Sequence, residues 1–295
     1  MIERRHGAAR RGLTRARALV ARVVLATIAA GRRTSFGALG ITFLTACSGT
    51  GTGAPVAGAE TRSLGEYDLA RDAFQGNRFR EALDHVQKSL KLNEDNAEAA
   101  YLGSVILFQF CAIDEHSSDC RFNDAEHFAR EALRAAPDHR DAKNALGVIL
   151  IHEKRYDDAI GVLKPLADDI LYNTPEKAWG NLGWAYLERG SVDEAIDALR
   201  RSVAAQPLFC VGNFRLGLAF EKKGDLPLAR EALSKAVDTD RPECKRLQDA
   251  WSARARVLAK QGAKDDARAD LQKCSELSAT TPVGLRCKAD LQTYQ

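Results

Sequence analysis

The residue types here with the most specific chemistry are seven cysteines and six histidines in a chain of 295 residues. Cys111, His116, Cys120 and His127 fall close together in a C-x4-H-x3-C-x6-H spacing. Thiolates and imidazoles set that way could surround a metal ion, but the spacing matches no standard structural zinc pattern. His85 and His127 lie inside predicted helices, where a packed or solvated imidazole is the ordinary case. The chain contains no G-x-S-x-G, no H-E-x-x-H and no P-loop, the patterns that would put a nucleophile, a metal-bound water or a phosphate cradle in place. The G-x-G-x-G of residues 49–53 has no strand before it and no helix capped directly after it, so it does not read as a nucleotide loop. No catalytic residue, metal or other cofactor, and no small-molecule substrate, is expected.

The elements that must position these residues begin with a basic leader. Residues 1–46 hold nine Arg and one Glu. Taking these from totals of 43 basic and 40 acidic residues leaves 34 and 39, so the remainder is mildly acidic and has no electrostatic footprint for nucleic acid. After Arg32-Arg33 a short apolar run, Phe36 to Ala46, leads to Cys47. A charged flank, a brief apolar core and small residues before a cut form an export signal too short to span a bilayer. Leu44-Thr45-Ala46-Cys47 resembles the bacterial lipobox, which implies cleavage before Cys47 and acylation of its thiol. Three acyl chains exceed what stable anchoring needs. Ser48 is not the Asp associated with inner-membrane retention, so the resemblance points to the periplasmic face of the outer membrane. A second apolar run, Ala18–Ala30, makes the leader long: either translation starts downstream of Met1, which we favour, or Arg32-Arg33 belongs to a loose twin-arginine signal. Residues 48–60 are rich in Gly, Ala, Ser and Thr and read as a flexible tether reaching roughly 20 Å.

An exported chain meets an oxidising compartment, and six cysteines besides Cys47 suggest disulfides. Locality favours Cys111–Cys120, Cys210–Cys244 and Cys274–Cys287, although six cysteines allow fifteen pairings and the sequence alone does not choose. For Cys274, at a small-residue position of its helix, a plain buried thiol is the alternative.

Self-similarity decides the fold. Trp179-Gly-Asn-Leu-Gly-Trp-Ala-Tyr186 matches the helix A signature W-x2-L-G-x2-Y of the tetratricopeptide repeat, continued by Gly190, Ala195, Leu199 and Pro207. The same spacing recurs about every 34 residues. Leu146-Gly147, Leu216-Gly217 and Leu102-Gly103 mark three further copies, with weaker ones at Leu69-Ala70 and Trp251. The chain is therefore expected to be all-α: six helix-turn-helix units over residues 63–277, stacked in a right-handed superhelix with a concave groove. Residues 1–46 form the signal, 47–62 the lipidated cysteine and linker, and 278–295 a tail or cap.

Two departures from the period are informative. Ile106 and Ala125 are nineteen apart where Tyr186 and Ala195 are nine apart, which places an insertion around 110–120 in the turn between two helices. The stretch Ile170-Leu-Tyr-Asn-Thr-Pro-Glu176 replaces the usual Asp-Pro between repeats. It resembles the D-P-L-Y-x-T-P-E segment of type IV pilus pilotins, the tetratricopeptide lipoproteins of the Tgl, PilF and PilW type. Asp169, Tyr172, Thr174, Pro175 and Glu176 match, and Ile170 stands where that family has Pro. The resemblance spans residues 64–277 and the lipobox, and the six repeats and cysteine-containing tail look more like the Tgl branch. On the residues alone, Pro175 pushes Thr174 out of helical geometry and Thr174 can cap the next helix, so a rigid joint between repeats is an equally good reading.

Helix A positions that face the groove are apolar in this chain: Tyr67, Phe74, Leu107, Phe108, Val148, Ile151, Trp184, Leu187, Phe214 and Leu218. A contiguous exposed apolar surface marks an interaction site unless winding of the superhelix, or the tail after residue 278, covers it. The groove lacks a basic Lys/Asn/Arg set of the kind that captures a terminal carboxylate. What the resemblance implies is an outer-membrane pilotin that binds a secretin in this groove and promotes its localisation and multimerisation for type IV pilus biogenesis and motility. The alternatives are a general periplasmic adaptor for cell-wall or outer-membrane assembly and, in a different class, an enzyme or metal-binding protein using the Cys/His insertion.

Overall fold

The computed structural model describes residues 54–113 and 117–293. The export signal, Cys47, the first part of the tether and His116 lie outside the described residues. The described residues form fourteen helices and no strand: α1 (Ala54–Gln75), α2 (Phe79–Leu92), α3 (Ala97–Ile113), α4 (Phe122–Ala135), α5 (Arg140–His152), α6 (Tyr156–Ala167), α7 (Pro175–Arg189), α8 (Val192–Ala205), α9 (Cys210–Lys223), α10 (Leu226–Val237), α11 (Pro242–Lys245), α12 (Gln248–Lys260), α13 (Lys264–Leu277) and α14 (Pro282–Gln292). Six pairs follow the period, α1/α2, α3/α4, α5/α6, α7/α8, α9/α10 and α12/α13, and each first helix also packs on that of the next repeat. α11 is a single turn between the fifth and sixth repeats, and α14 packs on α13 and α12.

The glycine of the L-G pair explains the close approach within a repeat. A Cβ on Gly147, Gly183 or Gly217 would run into the side chain of Leu163, Leu199 or Leu233 on the partner helix. Those leucines are fully buried, so the missing side chain on one helix is filled by a large one on the other. Gly190 and Gly224 end α7 and α9 at φ of 98° and 87°, the left-handed geometry glycine adopts without steric penalty.

The tether is shorter than expected. α1 begins at Ala54 and takes in residues 54–62, which the sequence alone assigns to the linker. Ser63 supplies the reason: it is buried and fixed, donating to the Ser89 carbonyl (2.9 Å) while Ser89 donates to the Ser63 carbonyl (2.8 Å). Asn96 donates to both hydroxyls at 3.1 Å and caps α3 by accepting from Ala99 N. Once this point is held, each residue added upstream gains a helical hydrogen bond without a new nucleus.

The segment after residue 278 is a helix and not a loose tail. Thr281 caps α14 by accepting from Gly284 N (3.0 Å), and Gln248 donates to the carbonyls of Cys274 (2.6 Å) and Ser278 (2.7 Å). A Cβ on Gly284 would collide with the Ser278 carbonyl, so α14 docks only with glycine there.

Candidate functional site

Three of the ten residues assigned to the groove wall belong to the interior instead. Leu107, Ile151 and Leu187 are 0%, 3% and 6% exposed. They stand in the last two turns of their first helices, and the stacking of the next repeat closes over them; Leu187, for example, joins the buried cluster of Leu216 and Phe220. Tyr67, Phe74, Phe108, Val148, Trp184, Phe214 and Leu218 are half-buried and keep part of their surface open.

What those positions build is an aromatic strip running across repeats. The His152 ring stacks on Phe122 (5.5 Å, 16°) and meets Phe108 (5.1 Å) and Trp184 (5.1 Å, 83°) edge-on. The Arg215 guanidinium lies 4.3 Å from the centre of the Trp184 ring, within cation–π range. Trp184 Nε1 donates to Glu188 (3.2 Å). The strip thus draws one side chain or more from each of the second to fifth repeats. Sequence reasoning missed Phe122, His152 and Arg215. His152 follows Ile151 on the same helix, so the helical period carried a signal for it; Phe122 opens a second helix after the insertion and carried none.

Polar groups accompany the strip. Asn181 donates to Asn144 Oδ1 (2.9 Å), and Arg215 donates to Asn181 Oδ1 (2.7 Å) and to the Gly180 carbonyl (3.2 Å). Burial outweighs the nearby charge of Glu188 and pushes the Arg215 guanidinium down to about 10. Asn144, Asn181 and Arg215 come from the first helices of three successive repeats, so the wall is an aromatic strip beside an Asn–Asn–Arg line.

The cysteines join as Cys111–Cys120, Cys210–Cys244 and Cys274–Cys287. The first closes the inserted turn between α3 and α4, the second ties the start of α9 to α11, and the third fastens α14 to α13. With Cys111 and Cys120 bonded to each other, neither thiol is a metal ligand; His127 instead faces Glu131 (3.6 Å).

The joint before α7 is tightly held. Asp169 accepts from Arg140 Nε (2.7 Å) and from Leu171 N (2.9 Å), and these two hydrogen bonds hold its carboxyl below the usual range. Tyr172 is buried and donates to Asp141 Oδ1 (3.1 Å). Thr174 stands at the N-cap position but its hydroxyl makes no capping bond; Pro175 occupies the first turn, and the Lys177 amide bonds to the Thr174 carbonyl. Ile170 and Leu171, between these fixed points, are 95% and 66% exposed.

The solved structure of PilW, described as a widely conserved type IV pilus biogenesis factor, is 21% identical, with a TM-score of 0.62 over 76% of this chain and 97% of that one. PilF of Pseudomonas aeruginosa is 16% identical, with a TM-score of 0.61 over 79% and 99%. A tetratricopeptide repeat protein of Parabacteroides merdae is 14% identical, with a TM-score of 0.61 over 79% and 84%. At these identities the likeness is one of fold. No curated protein matches the sequence. Tetratricopeptide repeat models match residues 67–110, 121–169, 166–208 and 214–274. With helix pairs, glycine contacts and sequence matches coinciding over most of its length, the chain belongs to the tetratricopeptide repeat family.

Proposed function

We propose that this chain is an exported lipoprotein, acylated at Cys47 and held at the periplasmic face of the outer membrane, that acts as a pilotin for a secretin of the type IV pilus. The half-exposed strip of Phe108, Phe122, His152 and Trp184 carries the reading. It offers aromatic anchors to a polypeptide laid along the groove, the side-chain class that dominates binding energy at interfaces. The fold common to this chain and the pilus proteins PilW and PilF supports the assignment, as do the lipobox and the Tyr-x-Thr-Pro-Glu joint. The work done is binding and tethering: an anchored groove raises the local concentration of secretin at the membrane without making or breaking a covalent bond.

Deleting the gene tests it. Loss of secretin multimers and of twitching, restored by the parent chain but not by Trp184→Ala, is the expected result. Cys47→Ser should leave the folded chain in the soluble periplasm. Unchanged secretin multimers with altered peptidoglycan would assign the protein to cell-wall assembly instead.

A further inference from the structure

The two edges of the solenoid differ in their exposed side chains. One edge carries turns within repeats, at 76–78, 153–155, 190–191, 224–225 and 261–263. The other carries the joints, where a second helix ends and the next first helix begins. The joints run side by side. Arg134 at the end of α4 donates to Asp95 of the first joint (2.9 Å), and Arg140 at the start of α5 donates to Asp169 of the third (2.7 Å). Ser202 at the end of α8 donates to the Glu176 carbonyl just past that third joint (2.7 Å). Among the described residues six large apolar side chains are exposed: Leu64, Leu69, Ile170, Leu171, Leu208 and Leu285. Ile170 and Leu171 lie in the third joint, Leu208 in the fourth, and Leu285 in the first turn of α14; Leu64 and Leu69 are on α1. None of the six lies in those turns within repeats.

The joint residues are held out on a fixed backbone. The Asp169 carboxylate accepts from Leu171 N (2.9 Å) and its carbonyl from Tyr172 N (3.1 Å), while the Tyr172 ring is buried. Beside Leu208, Asn213 donates to the Pro207 carbonyl (2.9 Å) and Phe209 N to the Gln206 carbonyl (3.0 Å). Contact with an apolar phase would relieve their exposure. Where such a phase lies follows from α1. The bonds from Ser63 to Ser89 and from Asn96 to Ser63 set Ser63 level with the first joint, so residues 54–62 carry α1 about 13 Å past it. Ala54 is seven residues after Cys47, a stretch that spans at most about 25 Å. A lipid on Cys47 would bring the bilayer within reach of the joint edge.

We propose that the joint edge rests on the lipid bilayer to which Cys47 is anchored, with Ile170, Leu171 and Leu208 inserted at the boundary between headgroups and acyl chains. The inference rests on the acylation of Cys47 proposed above and adds a second contact and an orientation to it: the helices stand on the membrane by one end. The headgroups that suit this edge are zwitterionic. Asp95, Asp138 and Asp168 are exposed at its first three joints, so anionic lipid is repelled and the apolar side chains carry the contact.

Cys47 is the one cysteine outside the three disulfides, so the anchor can be made chemically. In the test, the full chain is coupled through Cys47 to a maleimide phospholipid in phosphatidylcholine vesicles. The photocrosslinker p-benzoylphenylalanine replaces Leu171, Leu208 or, beside a turn of the other edge, the exposed Lys223. Lipid adducts are expected at positions 171 and 208 roughly tenfold more often than at 223. Ile170→Asp combined with Leu208→Asp should lower the adducts at 171 while circular dichroism stays unchanged, and so should added phosphatidylglycerol. Equal adducts at the three positions, adducts to a second copy of the chain in place of lipid, no adducts, or a rise with phosphatidylglycerol overturns the edge contact. Should the double variant not fold, the comparison of the three positions decides by itself. Absence of lipid adducts, together with release of Cys47→Ser from the membrane in cells, would remove the edge contact and leave the anchored pilotin standing. Edge adducts on the coupled chain, with Cys47 found unacylated in cells, would do the reverse.

Discussion

The fourth and sixth repeats build the same helix pair in two ways. In the fourth, Leu182 is buried, Gly183 lets Leu199 of α8 close in, and Arg201 lies over Trp179 at 4.6 Å. In the sixth, Trp251 takes the place of Trp179 with Arg254 over its ring at 5.0 Å, but Arg254 also stands where the signature has leucine. Its guanidinium makes a bidentate pair with Asp270 (2.7 and 2.8 Å) and a third bond to Asp238 (2.7 Å). Arg254 and Asp270 are only 12% and 7% exposed. Ala255 replaces the glycine, and the Cys274–Cys287 bond fastens α13 to α14. The period specifies a helix pair; what fills the space between the helices is open to an apolar or an ionic solution.

The largest expected effect comes from breaking the ionic solution by half. Asp270→Ala leaves Arg254 buried without its bidentate partner and should destabilise the chain by about 3–5 kcal/mol in urea unfolding. Replacing both, Arg254→Leu with Asp270→Leu, converts the sixth repeat to the pattern of the fourth and should recover most of that loss. Retention of stability in Asp270→Ala would mean that the pair is ornamental and the two repeats are held alike.

The disulfide comes next. Cys274 and Cys287 close a sequence separation of 13 residues. Their joint replacement by Ala should lower stability by about 3 kcal/mol. Protection of α13 and α14 against hydrogen exchange should fall while that of α7 and α8 is unchanged.

Gly183→Ala sharpens the contrast from the other side. Helix propensity alone would make it stabilising by about 1 kcal/mol. The clash with Leu199 reverses the sign, and we expect a net loss of about 1–3 kcal/mol in thermal unfolding. The sixth repeat already carries the methyl at Ala255.

The smallest effect is one of pH. Burial would raise the Glu221 carboxyl, but hydrogen bonds from Arg256 (2.8 and 2.7 Å) and Lys260 (2.7 Å) outweigh it and hold the group below its ordinary value of 4.5. A depressed carboxylate contributes stability present above its unfolded pKa and lost as pH falls. These bonds join α9 to α12, so acidification below about pH 4.5 should loosen the sixth repeat before the fourth, as limited proteolysis would reveal.

The repeat was legible because its physics is local. Spacings such as Trp179 to Leu182 and Gly183 to Gly190 fix where helices pair and stop, and the L-G glycines name the closest contacts in advance. The groove was legible only in part. Tyr67, Phe108 and Trp184 keep open surface, whereas Leu107, Ile151 and Leu187 do not, and nothing within a single helix distinguishes the two sets. That difference depends on how the following repeat rotates onto the first.

The residues of one polypeptide thus determined an all-helical solenoid of six repeats and, besides Cys47, an even set of six cysteines, because period, small residues and helix stops act over a few turns of backbone. Only the tertiary structure decided which cysteines pair, that Asn144, Asn181 and Arg215 form one line, that Arg254 meets Asp270, and that Ile170 stands in solvent. Each of these relations joins different helices or sets a side chain against its whole surroundings. Stacking angle settles them, and a one-dimensional pattern does not contain it.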